Sequence, residues 1–247
     1  MCTVSYIPIK VEQFILTSNR DERIARPTLS PVAEIIGNTT VFFPKDQQAG
    51  GTWIAAGDNG RICCLLNGAF KKHKRKVSYA KSRGKILLEA FEHENIRDFL
   101  LHSALDEVEP FTLIVSDIKP EHKLREFRWD AEQKHTRELD VVKPHIWSSA
   151  TLYSKKIRKQ RENWFGSWLK SQTHFDRENI MDFHSFPHGN DPENDVVMER
   201  TNGLKTVSIT QVEVYPDSFN MHYHDLLKDQ KTSLTKGIKR NSYALLR

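Results

Sequence analysis

Cysteine is scarce in this chain of 247 residues, which has only Cys2, Cys63 and Cys64. No spacing among them matches a zinc-binding framework or a set of disulfides. Cys63 and Cys64 are neighbours inside the apolar run 62–66, so on a strand they point to opposite faces and are expected as buried free thiols. Long apolar stretches are missing as well. No window approaches the roughly 18 consecutive apolar residues that a membrane span requires, and the start has no basic-then-apolar leader. A cytoplasmic protein without stable membrane insertion is the expectation. His73, His145, His174, His184 and His188 lie in polar surroundings without metal-ligand spacing, so no metal is assigned. A nucleic-acid module is also absent. The formal charge of +5, concentrated in residues 71–85 and 155–170, therefore reads first as solvated surface, and no nucleic-acid partner is expected.

What is present is enough apolar material for a core. With 38% apolar and 10% aromatic residues, the chain suits one layered domain over residues 1–247. Residues 3–9, 14–18, 40–43, 53–56 and 61–66 are β-rich and separated by turn signals such as Gly37-Asn38 and Asp58-Asn59-Gly60. Helical spacing follows over 79–91 and 96–101, strand character returns at 111–116, 124–129 and 136–142, and Ser154 caps a helix. On that helix Ile157, Trp164, Phe165, Trp168 and Leu169 share a core-facing stripe, with Arg161 at its rim. A short helix over 177–186 and a hairpin over 206–224 complete the pattern. Strands and paired helices in alternating blocks predict an α+β fold, two sheets covered outside by helices in an αββα sandwich.

Three constellations could carry chemistry. Removal of Met1 would leave Cys2 with a thiol and an α-amine on one residue, titrating near about 8.5 and about 7.7–8.0 respectively, so the amine can act as the thiol's base. Asn19, Arg20, Asp21 and Glu22 end the second strand, which a hairpin would bring back beside Cys2. A carboxylate there can hold an ammonium, and a guanidinium can orient a substrate carboxylate or amide. Asn67-Gly68 closes the strand 61–66, placing a side-chain amide and a backbone amide together as an oxyanion hole would need.

Taken in order, Cys2, then Thr17 to Glu22, Arg26-Pro27, Gly50-Gly51-Thr52-Trp53 and Leu66-Asn67 resemble the NRDE family, also called the transport and Golgi organisation protein 2 family. The motifs span the first third of the chain. The resemblance implies an N-terminal-nucleophile hydrolase fold like that of bile-salt hydrolases and penicillin V acylases. It puts Cys2 at the nucleophile, Asp21 at the partner of its amine and Asn67 at the oxyanion hole, with Asn19, Arg20, Trp53 and Ser149 as substrate-binding positions. Ser149 stands where the family has Asn, the family's following Pro-Trp pair is absent here, and Lys205-Thr206 follows its Arg-Thr pattern loosely. The implied function is a cysteine-dependent hydrolase or acyltransferase acting on a small amide, ester or thioester. The alternative is a carrier for haem or an acyl-coenzyme A; no cofactor is required, and haem would be a bound ligand.

Overall fold

The computed structural model describes residues 3–239, and everything below concerns those residues. Two antiparallel sheets stack face to face. The first is ordered β10-β1-β2-β11-β12-β13, from β1 (Thr3–Lys10), β2 (Gln13–Arg23), β10 (His145–Ser148), β11 (Leu204–Tyr215), β12 (Ser218–Asp225) and β13 (Gln230–Gly237). The second runs β3-β4-β5-β6-β7-β8-β9, from β3 (Thr28–Ile36), β4 (Thr39–Asp46), β5 (Ile54–Gly57), β6 (Arg61–Asn67), β7 (Phe111–Asp117), β8 (Lys123–Trp129) and β9 (Lys134–Leu139).

Side-chain alternation along each strand builds three apolar layers. Between the sheets, Val4, Tyr6, Phe14 and Leu16 of the first meet Ile54, Ile62, Cys64 and Ile114 of the second. The other face of the second sheet, with Val41, Phe43, Cys63 and Leu65, packs on α1 (Arg83–Glu89) and α2 (Ile96–His102) through Ile86, Leu87 and Phe99. The other face of the first, with Ile7 and Ile15, packs on α3 (Lys155–Ser171) and α4 (Arg177–Ser185) through Phe165, Ile180 and Phe183. The αββα sandwich is therefore the architecture, and Cys63 and Cys64 are buried free thiols on opposite faces of β6.

Capping explains where the helices start. Ser154 accepts the Ile157 N–H at the head of α3, and Asp176 with Asn179 forms a reciprocal capping box at the head of α4. The helix expected over 79–91 is shorter, because Ser82 caps it and α1 begins only at Arg83. Arg161 corrects the sequence reading: it is fully buried, not at the rim. Its guanidinium donates to Thr3 Oγ1 and to the Asn194 and Asp195 carbonyls, and lies 3.6 Å from the centre of the Tyr153 ring. Those acceptors satisfy a buried cation that periodicity alone would push to the surface.

Candidate active site

The β1–β2 hairpin pairs Thr3 with Asn19, so the start of β1 stands at the end of β2 where Arg20 and Asp21 lie. Cys2 itself lies outside the described residues. Thr3 is gripped from three sides: Asn19 across β2, Ser148 across β10, and the Arg161 guanidinium.

Asp21 is buried, and hydroxyl groups orient both its oxygens: Tyr153 donates to Oδ2 at 2.8 Å and Thr206 to Oδ1 at 2.6 Å. Tyr153 is fixed in turn by Arg161 against its ring, so the Asp21 carboxylate is held by a chain of contacts reaching α3.

Beside this strand end opens a cleft of about 410 Å³, lined by Arg20, Trp53 and Asn67 and by Glu22, Arg26, Asp46, Arg75, Lys81, Arg83 and Glu109, among others. Cations outnumber carboxylates in that lining. Arg20 lies over Trp53, 4.7 Å from the ring centre, and donates to Asp46 at 2.7 Å and to Thr28 at 2.8 Å. Burial pushes the Asp46 carboxyl up, but the Ala49 backbone N–H and the Arg26 and Arg20 guanidinium groups outweigh it and hold the group below the usual carboxylate range. On the far wall, Arg83 pairs with Glu109 at 3.1 Å, and His73 meets the same carboxylate at 3.1 Å.

The wall between them depends on two glycines. A Cβ on Gly51 would fall 2.5 Å from the Gly84 carbonyl carbon, and one on Gly84 would fall 2.7 Å from the Thr52 oxygen. This backbone contact, with the Thr52 N–H donating to Gly84, sets Thr52 and Trp53 against the start of α1. Thr52 then donates its hydroxyl hydrogen to Pro44 or Ile54 carbonyl oxygens, 2.7 and 2.9 Å away.

The sequence of residues 1–225 matches the profile of the family described as Transport and Golgi organisation 2. The chain belongs to that family. No curated protein matches it by sequence. Among solved structures, a variant of conjugated bile acid hydrolase from Clostridium perfringens aligns over 97% of this chain and 97% of its own length, with a TM-score of 0.60 at 10% identity. The N-acylethanolamine-hydrolyzing acid amidase ortholog of Caenorhabditis elegans aligns over 85% of this chain and 92% of its own, with a TM-score of 0.55 at 15% identity. At these identities the likeness establishes the N-terminal-nucleophile hydrolase fold.

Of the positions that the family resemblance singled out, the structure brings Arg20, Trp53 and Asn67 into one cleft and sets Asp21 at the adjoining strand end. Asn19 is not among the cleft residues. Its amide donates to the His184 and Val196 carbonyls and its oxygen meets His184 Nδ1, which ties β2 to α4. Ser149 is fully buried outside the cleft lining and donates to the Asn67 carbonyl at 2.8 Å, bracing the strand end from behind. Gly68, at φ +83°, lets the chain turn there; a Cβ would lie 2.6 Å from Thr151 Oγ1. Sequence reasoning missed Tyr153 and Asp46 as functional positions. Thr206 was the legible one, since it occupies the family's Arg-Thr motif, but Asp46, at the end of β4 beyond the apolar run 40–43, gave no signal.

Proposed function

We propose that this family member is a cysteine-dependent hydrolase or acyltransferase acting on a small amide, ester or thioester. The observation that carries this reading is the buried Asp21 carboxylate, aligned by Tyr153 and Thr206 at the strand end where β1 begins and adjoining an open cationic cleft. A carboxylate so placed suits an ammonium that must be held while it exchanges protons.

In this reading the Cys2 thiol adds to the substrate carbonyl carbon as its proton passes to the α-amine. The amine, alcohol or thiol leaving group of the amide, ester or thioester departs with that proton, leaving a thioester on Cys2. Water, deprotonated by the same amine, then attacks the thioester carbonyl, the C–S bond breaks to release the carboxylic acid, and the amine returns the proton to the thiolate; an acceptor alcohol or amine in place of water releases an ester or amide and gives acyl transfer. Asn67 would donate to the oxyanion in both halves, and Arg20 with its neighbours would orient an acidic or amide part of the substrate. A second reading, a carrier for haem or an acyl-coenzyme A, draws support from the same excess of cations around the cleft.

Turnover of a panel of acyl p-nitroanilides, p-nitrophenyl esters and acyl thioesters separates the two. Hydrolysis by the wild type that falls at least about 10²-fold in Cys2→Ala supports catalysis. Equal background rates in both proteins, together with saturable binding of haem or an acyl-coenzyme A by both, would favour the carrier.

A further inference from the structure

The two basic clusters, far apart in sequence, meet on one face of the molecule. Residues 71–76 carry Lys71, Lys72, Lys74, Arg75 and Lys76 on an irregular strap that leaves β6. The strap begins at Phe70, and there α3 reaches it: Arg158 donates to the Phe70 carbonyl at 2.9 Å, while Arg128 lies over the Phe70 ring at 4.9 Å. Lys155, one turn before Arg158, shares its side of the helix.

This charge is not consumed by the fold. Lys76 pairs with Glu107, both largely exposed, whereas Lys71, Lys72, Lys74 and Arg75 form no ion pair among the described residues. At the head of α3, Lys155 and Lys156 occupy a first turn that holds no acidic residue, where the helix dipole disfavours cations. Apolar surface accompanies the charge: Val77 is fully exposed and Phe70 about half exposed. Arg75 and Val77 also form part of the cleft lining, so the cationic face borders the cleft mouth.

We propose that this face docks the protein peripherally on an anionic lipid surface, without insertion, with the cleft mouth turned toward the bilayer. Phosphate and carboxylate headgroups complement the unneutralised lysines, and Val77 supplies an apolar contact at the boundary. A single-stranded nucleic acid fits less well. Such binders stack bases on open aromatic rings, and the Phe70 ring already has Arg128 over it and His135 edge-on at 5.0 Å. The proposal does not depend on catalysis, and docking should persist in Cys2→Ala.

Cosedimentation with phosphatidylcholine vesicles, with and without phosphatidylserine, at low and high salt tests it. The full chain should partition onto phosphatidylserine-containing vesicles at low salt, release at high salt, and ignore pure phosphatidylcholine. Lys71→Ala/Lys72→Ala should weaken partition by roughly five-fold per lysine removed, and Val77→Asp should weaken it further. Lys228→Ala/Lys231→Ala, with the same net charge but on the far edge of the other sheet, should leave it unchanged. Equal losses in both lysine pairs, no partition at all, or strap-dependent binding of polyuridylate in place of vesicles would overturn it.

Discussion

At the scale of single residues, the site is organised by hydroxyl groups around a carboxylate. Tyr153 and Thr206 each donate to Asp21, so removing one hydroxyl leaves a buried acceptor short of a hydrogen bond. Tyr153→Phe should cost about 1.5–3 kcal/mol, the range for hydrogen bonds to charged groups, read as a lowered urea midpoint with an unchanged slope. His184 offers a test with a defined sign. It is fully buried, and burial first, then the charges of His188 and Arg161, pull its pKa from 6.5 down to about 3. The unfolded chain therefore takes up a proton between those values that the native state refuses. Stability is fully present above about pH 6.5 and is lost as pH falls toward about 3, with a slope from this group of at most about 1.4 kcal/mol per pH unit. Urea unfolding of the wild type across that window should show the decline, and His184→Gln should flatten it. An unchanged slope in the variant would place the titrating group elsewhere.

At the scale of elements, the strands that carry the site were the readable ones. β1, β2, β5 and β6 announce themselves by β-branched and aromatic residues bounded by turn signals, and the hairpin that brings Thr3 to Asn19 follows from the short link between β1 and β2. Two edge strands, β3 and β13, were not readable, whereas the edge strand β9 was expected over 136–142. β3 contains Pro31, which argues against a strand interior, and it survives as the edge of its sheet with a break in register between Leu29 and Val32. β13 is almost entirely polar because, as the other sheet's edge, it buries little beyond part of Leu234. Arg161 shows the same limit on helices: a period of 3.6 gives the buried face, but not the carbonyl groups waiting in a distant loop to receive a cation. The joint between β5 and α1 was also hidden, since nothing in Gly51 or Gly84 alone says that they touch. Gly84→Ala should cost about 1–3 kcal/mol, because its Cβ would press on Thr52 backbone atoms that cannot swing aside, with a matching fall in the thermal midpoint.

At the scale of the whole molecule, the layer order decides what meets what. Stacking the sheets turns Arg20, on β2 of one, toward Trp53, just before β5 of the other, and a cleft opens where the two sheet ends diverge from the strap and α1. This arrangement was expected from the family motifs, whereas the meeting of the two basic clusters at Phe70 depends on how α3 lies across β10 and could not be seen in the linear chain. Burial also separates the thiols. Cys63 is pushed above its ordinary range and Cys64 up to about 12, so both are inert in the folded protein at neutral pH. The central claim, that Cys2 is an N-terminal nucleophile, is tested most directly by intact-mass analysis with iodoacetamide labelling of the folded wild type and Cys2→Ser. The predicted result is a mass lacking Met1 and one alkyl group per wild-type chain, added faster than to free cysteine at neutral pH and absent from Cys2→Ser. A retained Met1 with a Cys2 no more reactive than free cysteine would contradict it.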